Sequence, residues 1–167
     1  MKQSILMVTL LTASFLLAPN AFAATSEVTW TDYKSYRDID SGNDGRKQFR
    51  ERTFKDLEKH FAKLAEMLPA GQTLKIDVTD VDLAGDTHHG GVNRTRIVKE
   101  IYSPRMNFSY QVLDTDGTVI KSDDVVVKDM NFMSGSSLKY RNKSLGYEKK
   151  MLDEWFNDTF KEMIITK

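Results

Sequence analysis

The stretch MNFSYQVLDTDGTVI, residues 106–120, decides the fold. Apolar residues occupy every second position from Met106 to Val112, with polar residues between them. This alternation is typical of a strand with one face in the core and one in water. Asp116-Gly117 then separates this strand from a second β-branched segment. Asp-Gly between two such segments is a strong hairpin signal, because glycine accepts a positive φ and aspartate hydrogen-bonds to its own turn. The stretch therefore predicts two antiparallel strands.

The same residues resemble the opening motif of the haloacid-dehalogenase phosphatases, in which the first aspartate attacks phosphorus. Asp114 and Asp116 would be the paired carboxylates. That chemistry needs an early parallel strand, Mg²⁺ and a later set of catalytic residues. After Gly117 we predict only one strand, one loop and one helix, and Asp123-Asp124 lie inside that strand. We therefore interpret the motif as a turn.

Two further stretches have apolar residues at the spacing of three and four that is typical of an amphipathic helix. The first is RKQFRERTFKDLEKHFAKLAEMLPAG, residues 46–71, which Pro69 and Gly71 end. The second is LGYEKKMLDEWFNDTFKEMII, residues 145–165, whose apolar face is broad. We expect both faces to be buried, and the broad face of the second helix could also bind a partner.

The remaining strands complete the pattern. A short strand is predicted near residues 28–30, and another within residues 72–85, where the alternation shifts near Thr79 and indicates a bulge. The stretch 94–113 is long and extended, and Pro104 marks a bend or an edge position in it. The predicted order is strand, helix, strand, strand, strand, helix. We predict an α+β fold, an antiparallel sheet meander with both amphipathic helices packed on one face.

The first residues have the composition of a secretion signal. Lys2 precedes a mostly apolar run, residues 5–17, and small residues lead up to Ala23. The run is shorter than the ~20 residues that cross a bilayer. We predict a signal peptide cleaved after Ala23, a periplasmic location, and one α+β domain at residues 24–167 with no membrane span in the mature chain.

Composition excludes several classes of protein. The chain has 24 Lys and Arg and 24 Asp and Glu, so its formal net charge is zero. Such a balance gives no electrostatic footprint for nucleic acid, and we expect none to bind. The chain has no Cys, which excludes disulfides, thiolate chemistry and cysteine-based zinc sites. Stability must therefore come from a hydrophobic core.

One segment raises the possibility of a metal site. Asp80, Asp82, Asp86 and His88 fall close together at the end of a predicted strand and in the loop that follows it. An EF-hand loop starting at Asp80 fails, because its fifth position has no oxygen-bearing side chain and its twelfth is not Glu. A looser divalent-cation site made by these four residues remains open beside the alternative of a solvated strand face followed by a loop.

Several short signatures resemble those of one bacterial family. They are VTWTDYKSYRDI at 28–39, VTDVDLAG at 78–85, YSPRM at 102–106 and YEKKMLDEWF at 147–156. In this order they resemble the exported family catalogued as domain of unknown function 3016. The resemblance covers essentially the whole mature chain and implies a single secreted domain of Gram-negative bacteria. It implies no activity, cofactor or catalytic residue.

No catalytic set is recognisable in the sequence, which has three His and no defensible Ser-His-Asp spacing. We therefore expect a non-enzymatic periplasmic binding or envelope-assembly module that needs no cofactor. It would act on an envelope protein partner through a sheet edge or the face of the last helix. The alternative is a cation-dependent enzyme or metal-binding protein that uses the segment 80–88.

Overall fold

The computed structural model describes residues 23–40, 42, 45–88, 94–134 and 138–164. Residues 1–22 of the predicted signal peptide lie outside the described residues. The strands are β1 (Thr25–Trp30), β2 (Thr73–Asp82), β3 (Asp86–His88), β4 (Thr95–Ile97), β5 (Arg105–Leu113) and β6 (Val119–Lys128). The helices are α1 (Arg46–Ala65) and α2 (Gly146–Phe160), with a 3-10 turn at Tyr33–Ser35. The predicted α+β class is confirmed.

Four strands form the main sheet in the order β1-β2-β5-β6. The pairs β2–β5 and β5–β6 are antiparallel, as a meander requires. β1 differs, because it runs parallel to β2. The chain leaves β1, passes through α1 and enters β2 in the same direction, which is the connection that parallel neighbours need. The sheet is therefore mixed and mostly antiparallel.

Both helices pack on one face of this sheet, as predicted. The ring of Phe61 in α1 lies 6.1 Å from that of Phe108 in β5, between centroids. Trp155 in α2 approaches the same Phe108 ring to 4.8 Å. Trp30 at the end of β1 stacks on Phe54 of α1 at 4.0 Å. Each large apolar side chain buried here contributes about 1.5–3 kcal/mol, so this layer supplies much of the stability.

The broad apolar face of α2 belongs to the core. Met151, Leu152, Phe156 and Phe160 are all at most 4 % exposed. Phe160 also lies 5.3 Å from Tyr110 of β5, between ring centroids. The hydrophobic core therefore covers these apolar side chains of the last helix.

The Asp-Gly turn and the bulge are both present. The Gly117 N–H donates to the Asp114 carbonyl at 2.9 Å, and the Asp114 N–H donates to the Thr118 carbonyl at 2.8 Å. Gly117 has a φ of 84°, which a residue with a Cβ adopts at a cost. In β2 the register with β5 shifts between Val78 and Asp80.

The extended stretch 94–113 is two strands rather than one. Its first part, β4, pairs with β3 in a separate two-stranded sheet. Its second part, β5, starts directly after Pro104, whose carbonyl accepts the Asp129 N–H at 3.2 Å. A proline cannot donate to a ladder, and the strand pairing begins only beyond it.

No helix among the described residues is long and apolar enough to cross a membrane.

Candidate functional site

A cleft of about 630 Å³ opens at one end of the main sheet. Three strand ends meet there in one register row, because Asp82 pairs with Arg105 and Arg105 pairs with Lys128. An isolated parallel bridge adds Asp38 beside Asp82. The 3-10 turn and the first turns of α1 close the other side. The topology therefore brings together charged residues from five stretches of the chain.

The lining of the cleft is mostly charged. Its cations are Lys34, Arg37, Arg46, Arg50, Arg105 and Lys128. Its carboxylates are Asp38, Asp40, Asp82 and Asp86, and its aromatic residues are Tyr33, Tyr36 and Tyr102. The cations outnumber the carboxylates, so the cleft differs from the chain as a whole, whose formal charge is zero.

Arg94 and Arg96, in and beside β4, neutralise Asp40 and Asp38 from outside the cleft. Arg96 donates to both carboxylate oxygens of Asp38 at 2.8 Å. It also donates to the carbonyls of Gly85 at 2.9 Å and of Asp40 at 3.0 Å. Arg94 donates to Asp40 Oδ2 at 2.5 Å. Because neither arginine lines the cleft, they cancel the charges of Asp38 and Asp40 without occupying it.

The cations that do line the cleft are loosely paired. Arg37 lies 3.9 Å from Asp82, and Arg46 lies 3.9 Å from Asp40. The Arg50 guanidinium lies over the Tyr33 ring, 4.4 Å from its centroid, in a cation–π contact.

Arg105 Nε donates to the Asn107 amide oxygen at 3.1 Å. Lys34 and Lys128 form no ion pair within the part of the chain that the structure describes. The positive charge of this wall is therefore available to a ligand.

The carboxylates respond to this environment in opposite ways. Burial raises the pKa of Asp82, and the neighbouring Asp38 charge adds to that effect more than Arg37 opposes it. Burial also disfavours ionised Asp40, but the Gly42 N–H and the Arg94 guanidinium outweigh it and lower its pKa. A perturbed carboxyl group in a cleft is a common feature of functional sites.

The Thr87 hydroxyl is a buried polar group without a hydrogen-bond partner among the described residues. Thr87 lines the cleft and is 5 % exposed. Buried polar atoms are nearly always paired in folded proteins. An unpaired hydroxyl in this wall is consistent with a ligand that supplies the missing partner.

The four residues of the predicted cation site are dispersed. Asp82 and Asp86 line the cleft. Asp80 Oδ1 instead accepts the backbone N–H of Arg37 at 2.8 Å. His88 lies in β3, and its side chain lies outside the described part. Over the described residues, no group of three or more His, Cys, Asp or Glu could hold a metal ion. The cation site thus stays a prediction.

The sequence pattern did not reveal the cationic residues. Arg50 and Arg105 lie far apart in the chain and line the same cleft only because of the topology. One local signal was present, because Arg94 and Arg96 stand two positions apart and thus share a face of an extended segment. The signal is weak, since it does not indicate that their partners would be Asp38 and Asp40.

A family model described as "Protein of unknown function (DUF3016)" matches residues 24–158. The chain belongs to this family. The resemblance seen in the sequence signatures is thereby confirmed. The matched region includes every residue that lines the cleft, and both helices apart from the last residues of α2. A search of the curated proteins finds no match.

Proposed function

We propose that this member of the DUF3016 family is an exported, non-enzymatic binding protein whose cleft holds a small organic anion. The observation that carries the proposal is that six cationic side chains line one cleft. The cleft also has four carboxylates, but Arg94 and Arg96 neutralise the negative charge of two of them. A ligand with carboxylate or phosphate groups would supply the missing negative charge. The free energy of binding would come from charge-assisted hydrogen bonds.

The dimensions support a small molecule. A volume of about 630 Å³ falls within the ~300–1,000 Å³ of ordinary ligand pockets. The rings of Tyr33 and Tyr102 and the side chain of Ile101 give the cleft an apolar part. An anion with a carbon skeleton would use both parts.

The kind of cation also supports an anion with planar or tetrahedral oxygen groups. Four of the six cations are arginines, Arg37, Arg46, Arg50 and Arg105. A guanidinium presents a rigid fork of N–H donors that matches carboxylate and phosphate oxygens in pairs. None of the four is committed to a close ion pair within the described residues, since the nearest pairs measure 3.9 Å.

Export rests on the sequence and is supported by the domain limits. The family match starts at Ala24, the residue directly after the predicted cleavage point. Ala24 is 4 % exposed and belongs to the core, so the folded domain includes it. Fractionation of cells of a Gram-negative host followed by N-terminal sequencing tests this part. A processed chain starting at Ala24 in the periplasmic fraction is expected.

Calorimetric titration tests the binding part. Citrate and pyrophosphate serve as carboxylate and phosphate probes, and both are titrated into the purified protein and into an Arg50→Gln/Arg105→Gln variant. We expect binding by the parent and at least a tenfold loss in the variant, equivalent to about 1.4 kcal/mol. Lys75→Gln is the matched control, because Lys75 lies outside the cleft and pairs with exposed Glu27 at 3.2 Å. Equal affinities in parent and double variant would reject the proposal.

A protein partner in the envelope remains a second candidate, favoured by the position of β6 at the end of the sheet formed by the described strands. This ten-residue strand lies at the end of the sheet order and pairs with β5 on one side. Val119, Ile120 and Val126 on it are exposed. An edge of this kind can accept an added strand from another chain.

Substitution on β6 tests this second candidate. Val126→Lys places a charge on an exposed edge position without entering the core, since Val126 is 64 % exposed. Captured envelope proteins are compared between the parent and this variant. A partner that binds through the edge is expected to be lost in the variant and retained by Arg50→Gln/Arg105→Gln.

A further inference from the structure

A second pocket, of about 270 Å³, lies between α1 and α2 and is closed by the loop that precedes α2. It shares no lining residue with the cleft described above. Five lysines and His60 line it, against the two carboxylates Asp56 and Asp153. The pocket is therefore also rich in positive charge, but it is smaller and built around an imidazole.

His60 is held in one orientation. Its Nε2 lies 2.8 Å from Asp153 Oδ1 and 3.1 Å from the Lys149 carbonyl oxygen. Both neighbours are acceptors, which assigns a proton to Nε2. Nδ1 has no hydrogen-bond partner among the described residues, and it is not one of the fully buried unpaired atoms. This nitrogen is therefore not sealed in the core, and the His60 ring lines the pocket.

The Asp153 carboxylate is surrounded by hydrogen-bond donors of the chain itself. Besides His60, it accepts hydrogen bonds from Lys139 at 2.5 Å and from the Tyr140 hydroxyl. Burial disfavours its ionised form, but these three donors outweigh burial and lower its pKa. Asp56 in turn lies 3.5 Å from Lys149. Neither carboxylate is left to neutralise the other lysines.

Three of the lysines have no carboxylate partner in the part of the chain that the structure describes. They are Lys59, Lys63 and Lys143. Lys59 and Lys63 stand one turn apart on α1, where like charges repel. The Lys143 ammonium lies 5.8 Å from the Tyr140 ring centroid. A bound anion would offset the repulsion that this arrangement creates.

We propose that this pocket binds a phosphate group carrying two negative charges, either inorganic phosphate or a phosphate monoester. The side chains of Lys59, Lys63 and Lys143 supply the positive charge for this group, and the His60 ring forms part of the wall beside it. Lysine binds phosphate as a point charge and tolerates varied geometry. The site is independent of the anion cleft and does not rest on its proposed ligand.

The test follows the His60 ring signals by NMR while inorganic phosphate is added to the purified protein. The chain has three His, so His60→Gln assigns the signals. We expect phosphate to shift the His60 signals, and Lys59→Gln/Lys63→Gln to weaken the response at least tenfold. Both lysines are exposed, so the fold should persist, and a thermal unfolding curve checks it. Arg50→Gln/Arg105→Gln, which alters the other cleft, should bind phosphate at this pocket as the parent does.

Vesicles separate the two sources of the phosphate group. Vesicles containing phosphatidate present a monoester, and vesicles containing phosphatidylglycerol present a diester of lower charge. A response to phosphatidate but not to inorganic phosphate, lost in Lys59→Gln/Lys63→Gln, assigns the site to a lipid headgroup and supports the proposal. Equal binding to both vesicles indicates a charged surface rather than a pocket and overturns it. Unchanged His60 signals with both phosphate and phosphatidate overturn it as well.

Discussion

Asp38 and Arg96, 58 residues apart in the chain, form an ion pair with two hydrogen bonds of 2.8 Å. Arg96 lies in β4, and Asp38 lies in the segment after the 3-10 turn. The Arg96 side chain is 19 % exposed and the Asp38 side chain is 16 % exposed. The pair fixes the segment 38–40 against the small β3–β4 sheet and so builds the back of the cleft. It is a structural requirement of the proposed site rather than a ligand contact.

We predict that Arg96→Met destabilises the protein by about 2 kcal/mol, because the partly buried Asp38 carboxylate loses its guanidinium partner and keeps the Asp40 N–H as a donor. Urea unfolding measures the effect. Lys47→Gln is the control, since the Lys47–Glu51 pair is exposed and its loss should change the free energy of unfolding by less than about 0.5 kcal/mol. A similar, small change in both variants would show that the Asp38–Arg96 pair does not support the fold.

Asp82→Asn is predicted to strengthen binding of citrate and pyrophosphate several-fold. The substitution removes a negative charge from the wall of a cationic cleft, where like charges repel. Calorimetry at constant ionic strength measures the change. The alternative cation site predicts the reverse dependence, because Asp82 would be a metal ligand. Calcium or zinc binding by the parent that Asp82→Asn abolishes would favour that alternative.

Asp153 should make the protein sensitive to acid. Its pKa is lowered in the folded state, so its contribution to stability is complete above the unfolded pKa of about 3.9 and is lost as the pH falls through the folded value. We predict that the free energy of unfolding drops more steeply below about pH 4 in the parent than in Asp153→Asn. Denaturant titrations between pH 2 and pH 7, on the order of one per pH unit, measure both slopes. Parallel curves would contradict the prediction.

Glu148 should give the opposite dependence of stability on pH, because its pKa is raised in the folded state. It is 3 % exposed, and its Oε1 accepts the Ala84 N–H at 2.8 Å. Burial raises its pKa more than the Ala84 hydrogen bond lowers it. The folded state thus holds this proton more tightly than the unfolded state, and stability falls as the pH rises from about 4.3 towards the folded pKa.

Glu148→Gln is therefore predicted to be at least as stable as the parent at pH 7, because the amide oxygen can still accept from Ala84. Glu148→Ala should lose about 2 kcal/mol, since it leaves that buried N–H unpaired. Thermal unfolding of both variants measures this difference. Equal losses in the two variants would contradict the assignment of a buried, protonation-sensitive acceptor.

Much of the fold could be predicted because its signals are local. The alternation from Met106 to Val112, the Asp-Gly turn at Gly117 and the shift near Thr79 each specify structure within a few residues. The direction of β1 could not be predicted in this way. Its parallel pairing with β2 depends on where α1 returns the chain, which no short pattern encodes.

The candidate site could be predicted only in part. Asp82 and Asp86 were identified as chemistry-bearing residues, and both line the cleft. The arginines were not identified, because a balanced composition conceals charges that the fold separates in space. Arg50 comes from α1 and Arg105 from β5, and both line the cleft because of how the helix and the sheet are arranged. Ion pairs such as that of Asp38 likewise join distant segments.

A crystal structure of the protein grown with pyrophosphate tests the central claim most directly. The account predicts the anion in the cleft at the end of the main sheet, within hydrogen-bond distance of Arg50 or Arg105. Its oxygens should fill the side of the cleft opposite the Asp38–Arg96 pair. An empty cleft at a pyrophosphate concentration that saturates binding in calorimetry, with the anion bound elsewhere, would contradict the claim.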